Sequence, residues 1–400
     1  MANSTGRARG RGTVSVLQHW AAENSAALDH VIEAFGREND GIRIDDDAAH
    51  ISTLRLHVKS QILREDPPDV WSDWPGRNLA PVVEAGAVAD VTDLWQASDM
   101  ESAYGEGART AARFDGRYRC VPLDIYRINN LYYNTDHLAR AGVDIDTVAG
   151  PDDFLALLDR LDDALDVPPV LVGAKDPFGP LQLWETFLVA YGGPATYEAL
   201  LDGEARANRE TVREAVAGLE AVLERVPEDA KFLASEEADA RFADGGAALF
   251  HNGTWAIGRV GATEGFDFGE AWEHRPFPGT DDQFLMNMNA LVPAAAADDP
   301  EAVAEFLRFA GSREGLEIFN AEVGAVPPRD DVPLDSLHPL TQRLARERER
   351  CRTLQSLTHG LGVAPDRLVE CKEIVASHLA DRDVAETTER FVDALAAVDE

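Results

Sequence analysis

A chain of 400 residues is too long for one ordinary hydrophobic core and predicts two domains. Its hydrophobic fraction of 45% is that of a globular protein, but its formal net charge of -35 is far from the average. Charge of that sign and size excludes nucleic acid and anionic membrane surfaces as partners.

Thr13–Gln18 alternates like a strand, and an amphipathic helix is predicted over Ser25–Asn39. Ile42–Asp46 predicts a second strand, and Ser52–Arg64 a helix with Ser52 as its N-cap. Val70–Ser72 is a short third strand introduced by Pro67-Pro68. This alternation points to parallel βαβ units. Asp115-Gly116 between strand-like flanks predicts a hairpin within Arg113–Val121, and Tyr126–Asn134 a further strand. The alternation restarts with a helix over Pro151–Leu161, a strand at Val170–Gly173, a helix over Leu181–Tyr191 and a strand at Ala247–His251. Phe284–Val292 is extended, Pro300–Gly311 and Ser312–Asn320 are helical, and the chain after Asp331 is mostly helical.

No repeat and no Gly/Pro/Ser-rich linker interrupts this order. Domain boundaries are expected near residues 122–127, 276–283 and 324–332. Several crossings between two lobes make a stiff hinge that opens and closes in register. The acids are dispersed, and the only lysines are Lys59, Lys175, Lys231 and Lys372. Such a surface resembles proteins from high-salt organisms, where a Debye length of about 3 Å at molar salt screens self-repulsion. An acidic protein from ordinary surroundings is the other reading.

Cys120, Cys351 and Cys371 lack metal-ligand spacing, and a pairing of two stays open. Neither a nucleophile elbow, a P-loop nor a zinc spacing is present, so no metal and no cofactor is expected. No stretch is long and apolar enough to cross a membrane. Met1–Gly12 is polar and Arg-rich, without the apolar region of a signal peptide. Taken at face value, that start predicts a cytoplasmic chain. A trimmed leader or a misplaced start is the alternative.

Short segments far apart in sequence pair an aromatic ring with a polar group just past an apolar run. A sugar needs that mixture, because its C–H face stacks on a flat ring while its hydroxyls need donors and acceptors. Trp20, at the carboxyl end of the first strand, is expected to be a stacking platform with His19 hydrogen-bonding beside it. A tryptophan packed on the next helix is the plainer reading. Glu23 or Asn24 would accept from hydroxyls, or else cap that helix. Trp255, after Gly253-Thr254 at a helix start, is expected to be a second platform, with core packing as its alternative. Trp71 reads as core, Trp95 and Trp272 as packing, and Trp184-Glu185 stays ambiguous. Alternation sends Trp71 and Asp73 to one side and Ser72 and Trp74 to the other. Arg127 is expected to form an ion pair with Asp124, with a bond to a sugar hydroxyl as the alternative. An enzyme such as a glycosidase would need two carboxylates about 5–10 Å apart, for which Asp69, Asp73 and Asp124 are the candidates.

From Thr13 onward the chain resembles extracellular solute-binding proteins of ABC importers, in the sugar-binding family related to maltose-binding protein. Within it the chain looks most like bacterial glucose/galactose-binding proteins. The resemblance is carried by Gln18–Trp20 with Glu23, Leu63–Trp74 with its Asp-Pro-Pro-Asp, Val121–Tyr133, Leu183-Trp184-Glu185, Ala247–Gly258, Phe284–Pro293, Phe306–Val326 and Leu357–Pro365. It implies an α/β fold of the periplasmic-binding-protein type: two lobes, a three-segment hinge and a sugar closed in the cleft between them. The implied division is 13–124 with 283–327, and 125–282 with 328–400, after a disordered 1–12. It also implies a membrane permease as partner, an extracytoplasmic, membrane-anchored location, a monomer and no catalytic residue.

Residue by residue, the resemblance places Ser72 and Trp74 at ligand-touching positions usually held by Gln and His. That departure exchanges a hydrogen bond for stacking area. Tyr126 matches a position often held by His near the first hinge. Asn287, with Asn289 on the same face, lies near a sugar-binding Asp of the family, and His359 matches a ligand-touching His loop. Glucose or a related monosaccharide is the implied ligand. A disaccharide, a polyol or an intracellular sugar sensor of the same fold stays open.

Overall fold

The computed structural model describes residues 12–20 and 26–396. The chain divides into two compact units. One is made of Met1–Ile125, Met288–Val323 and Pro327–Ser336, the other of Tyr126–Asn287, Gly324–Val326 and Leu337–Glu400. The first passage of the chain from unit to unit falls within the strand Val121–Arg127 and the second within the strand Gln283–Pro293.

In the first unit, Thr13–Gln18 pairs in parallel with Arg43–Ala48 on one side and with Val70–Asp73 on the other. Ala290–Pro293 runs antiparallel to Val70–Asp73. The helices Ala27–Glu38 and Ile51–Leu63 connect the parallel strands, which is the predicted βαβ order. The expected start at Ser25 lies outside the described residues. His50, not Ser52, holds the N-cap position of the second helix, without a side-chain capping hydrogen bond. Asp69 ends the Asp-Pro-Pro-Asp run and ties two strand starts together. Its Oδ2 accepts from the amide and hydroxyl of Ser15, and its Oδ1 from the amide of Asp298. Asp115 and Gly116 take φ of 50° and 78°, the left-handed pair of a tight hairpin, between Arg113–Phe114 and Arg117–Tyr118. Trp95 stacks on Tyr118 at 4.0 Å and is core packing.

In the second unit a sheet runs in the order Trp272–Pro276, Asn130–Asn134, Leu249–Phe250, Val170–Leu171. Gln283–Met286 also pairs in parallel with Arg352–Gln355. The strand predicted over Tyr126–Asn134 is instead two strands, Val121–Arg127 and Asn130–Asn134. Buried Asn129 breaks it. Its Oδ1 accepts from the Leu285 amide and Arg127 Nε, and its Nδ2 donates to Thr280 Oγ1 and the Gln283 carbonyl. Arg127 is fully buried and pairs with Glu347 at 2.7 Å, not with Asp124.

The helix expected to end at Tyr191 continues to Leu201 across a kink at Gly193 (φ 68°, ψ 177°), just before Pro194. Only glycine takes that conformation at no steric cost, and Pro194 lacks the N–H for an unbroken ladder. The helices Arg209–Leu223 and Ser235–Ala243 lie in a stretch to which the sequence reading assigns no element. Arg209–Leu223 buries Val212, Ala215, Val216, Leu219 and Val222, a 3.6-residue stripe. All three cysteines are free thiols. Among the described residues no helix is long and apolar enough to cross a membrane.

Candidate functional site

The first unit gathers its candidate residues at the carboxyl ends of Thr13–Gln18 and Val70–Asp73, where open α/β sheets place ligands. His19 is buried and its Nδ1 lies 2.8 Å from Ser72 Oγ. Burial, then the charge of Arg55, then that of His50, lower its pKa to about 3, so the imidazole is neutral. Trp20 stacks on His19 at 4.4 Å and meets the edge of Phe319 at 5.0 Å. Trp20 is buried, not an open platform, and its Nε1 has no hydrogen-bond partner among the described residues.

Trp74 also departs from expectation. The strand ends at Asp73, so alternation does not reach Trp74. The Arg55 guanidinium lies 3.8 Å over the indole and donates to Asp73 Oδ1 from Nε and Nη2, at 2.9 and 2.7 Å. One face of Trp74 is therefore taken by a cation. Asn289 belongs to this unit and donates its side-chain amide to both oxygens of Asp124, at 3.0 and 2.9 Å. Glu23 and Asn24 lie outside the described residues.

The second unit carries an aromatic cluster. Trp255 meets Tyr126 edge-on at 5.8 Å, His359 at 5.6 Å and Phe178 at 6.3 Å, and Phe178 meets His359 at 5.1 Å. Thr254 ties the first pair together: its Oγ1 accepts from the Arg127 amide and its own amide donates to the Arg127 carbonyl. Gly253 lets the indole fold over its own backbone, since a Cβ there would run into the ring. The helix after Trp255 is a single turn, Ala256–Val260.

Two buried carboxylates fix the loops of this cluster. Glu185 accepts from the Leu357 and Thr358 amides, from Ser356 Oγ at 3.0 Å and from the Tyr197 hydroxyl. Burial raises its pKa, and those hydrogen bonds oppose the rise. Ser356 Oγ lies 2.8 Å from His359 Nδ1 and so links the imidazole to Glu185. Asp239 accepts from Asn252 Nδ2 and Arg259 Nη1, both at 2.8 Å, and Asn252 Oδ1 in turn accepts from the Gly253 amide. Asn287 belongs to this unit, is buried, and has no partner for its Oδ1 among the described residues.

Phe178 also lines a small pocket with Lys175, Asp176, Ser235, His251 and Asn252, among others. His251 bonds Thr186 through Nε2 at 3.2 Å, and burial lowers its pKa to about 3. Its Nδ1 has no partner among the described residues. The structure thus brings Tyr126, Trp255 and His359 together in one unit and His19, Trp20, Ser72 and Trp74 in the other. Arg55, Phe178, His251 and Asn252 are not among the residues the sequence singles out for the site, and Glu185, ambiguous in sequence, is a buried loop anchor. Phe178 and His251 follow the carboxyl ends of Val170–Leu171 and Leu249–Phe250, and the strand-end rule reaches them. Only three-dimensional contacts reveal Arg55.

A family model described as bacterial extracellular solute-binding protein matches residues 30–343. The chain is 29% identical over 369 residues to the xylose/arabinose-binding protein XacG of Haloferax volcanii, covering 90% of this chain and 79% of that protein. Its fold is similar to that of a chitin oligosaccharide binding protein, with a TM-score of 0.82 at 19% identity over 97% of this chain and 100% of that one. It is equally similar to the bacterial solute receptor AcbH, described as preferring β-D-galactopyranose, with a TM-score of 0.82 at 13% identity over 96% and 98% of the two chains.

Proposed function

The chain belongs to the bacterial extracellular solute-binding proteins, and from that premise we propose that it captures a sugar for a membrane permease of an ABC importer. The observation that carries the sugar reading is the cluster of Tyr126, Phe178, Trp255 and His359, of which Phe178 also lines a small pocket. Rings give stacking area, and His251, Asn252, Ser235 and His359 give donors and acceptors. The loops are pinned by Glu185 and Asp239, so little ordering is left to the binding step.

The proposed ligand is a neutral monosaccharide. The resemblance to glucose/galactose binders favours glucose, while the likeness to XacG brings in the pentoses xylose and arabinose. The sugar-bound form is, in this reading, what the permease receives. In this reading the protein is a monomer outside the cytoplasm and breaks no bond. The candidate carboxylates of a glycosidase each hold other groups: Asp69 holds Ser15 and Asp298, Asp124 holds Asn289, and Asp73 Oδ1 accepts from Arg55. Isothermal titration with D-glucose, D-galactose, D-xylose, L-arabinose, maltose and glycerol tests it. Saturable 1:1 binding of one or more sugars is expected, without hydrolysis of an aryl glycoside. Heat for none of them, or turnover of the glycoside, contradicts the proposal.

A further inference from the structure

Two helices of the second unit begin at the wall of the small pocket. Gly179, in the first turn of Phe178–Leu201, and Ser235, the first residue of Ser235–Ala243, both line it. Neither of their backbone amides makes a hydrogen bond among the described residues, so each is a first-turn donor without an acceptor. A Cβ on Gly179 would run into the Gly173 carbonyl oxygen, so glycine is what lets this helix start come so close. His251 lines the same pocket and is only 2% exposed. Its Nε2 is turned to Thr186 Oγ1 at 3.2 Å, which leaves Nδ1 as the ring nitrogen without a partner among the described residues. A buried polar atom is costly to leave unanswered, and the pocket is where an answer can enter.

Size and charge narrow what that answer is. The pocket has a volume of about 30 Å³. One water-sized group needs about 10–15 Å³, so two such groups fit and a sugar ring does not. Lys175 and Asp176 in the wall carry opposite charges. Asp176 opposes an anion, and the two helix starts oppose a cation. A hydroxyl matches the polar wall: it accepts from the Gly179 or Ser235 amide, and it bonds His251 Nδ1 in either tautomer because it both donates and accepts. Phe178 and Leu233 supply apolar wall for one carbon. One carbon and one hydroxyl are a hydroxymethyl group. Phe178 belongs to both the pocket and the aromatic cluster, where it meets Trp255 and His359, so a single ring joins the two.

We infer that this pocket takes the hydroxymethyl group of a hexopyranose, with His251 as its specificity-determining residue, so that the protein prefers a hexose to the pentose of the same ring configuration. This rests on the sugar reading above and chooses between the hexoses and the pentoses that it leaves open.

Matched sugars test it. D-Xylose is D-glucose without its hydroxymethyl group, and L-arabinose stands in the same relation to D-galactose. The 6-deoxy forms of D-glucose and D-galactose keep the carbon and lose the oxygen. Isothermal titration of the parent chain should favour the hexose over its matched pentose by about 10–100-fold in whichever pair binds, from one buried methylene and one buried hydrogen bond. The 6-deoxy sugar should fall between them, because it fills the pocket but leaves His251 Nδ1 unanswered. In His251→Phe the hexose and its 6-deoxy form should bind within roughly threefold of each other. His251→Leu reads the same ratio if His251→Phe does not fold by circular dichroism. A parent chain that binds the pentose as tightly as the hexose overturns the pocket and leaves the sugar reading standing, and so does a folded variant that keeps the full ratio of hexose to 6-deoxy sugar. Binding of none of these sugars by the folded parent chain overturns both.

Discussion

Buried titratable groups set the acid behaviour of this protein residue by residue. His19 and His251 are neutral in the fold, with pKa values lowered to about 3 chiefly by burial. In the unfolded chain histidine takes up its proton from about pH 6.5 downward. Their contribution is therefore fully present above about pH 6.5 and is lost as pH falls toward 3, by up to roughly 1.4 kcal/mol per pH unit for each. Asp239 has the opposite sign: burial raises it to about 6, so its contribution is lost as pH rises from about 4 through 6. Urea unfolding at pH 7.5, 6.0 and 5.0 should show stability falling between the last two values, and His251→Phe should flatten that fall. Glu185 acts on the site through His359. Truncating it orphans the Leu357 and Thr358 amides and the Ser356 hydroxyl. Glu185→Ala should cost about 3 kcal/mol or more in urea unfolding. It should also weaken sugar binding in conditions where the variant is fully folded.

At the level of elements, turns and strand ends carry the candidate site. Gly253 is one such turn: a Cβ would push the Trp255 ring off its own backbone. Gly253→Ala should leave the fold cooperative but shift the Trp255 emission and weaken sugar binding about tenfold or more, measured by fluorescence titration. Binding unchanged from the parent would take Trp255 out of the site. Elements with a clean period were legible in the sequence. Thr13–Gln18, Val70–Asp73 and the Asp115-Gly116 hairpin follow from alternation and turn chemistry. The break at Asn129 was not, because it depends on carbonyls and amides of Thr280, Gln283 and Leu285 more than a hundred residues away. The cover of Arg55 over Trp74 was not legible, since periodicity in Ile51–Leu63 does not say that Arg55 reaches it. Trp20, likewise, shows its strand-end position in sequence but not that His19 and Phe319 cover it.

Over the whole molecule, charge decides the working conditions. A net charge of -35 repels itself at low ionic strength and is screened at molar salt. Many ion pairs are surface pairs such as Arg37–Glu33 and Arg43–Asp45, which contribute little to stability and are themselves weakened by salt. The repulsion term is the larger, so the melting temperature should rise between 0.1 M and 2 M KCl, and a fall would mean that the ion pairs win. Composition displayed this property at once, and the family was legible from segments spread along nearly the full chain. Ligand identity was not, because it depends on single polar atoms such as His251 Nδ1, whose surroundings are set by tertiary contacts. The most direct test of sugar capture is a tryptophan-fluorescence and thermal-shift titration in 2 M KCl against the same sugars, with Trp20→Ala and Trp255→Ala beside the parent chain. A sugar at about 100 times its dissociation constant should stabilise the parent by roughly 2.7 kcal/mol, and Trp255→Ala should lose that gain. A folded parent chain that no mono- or disaccharide stabilises would contradict the account.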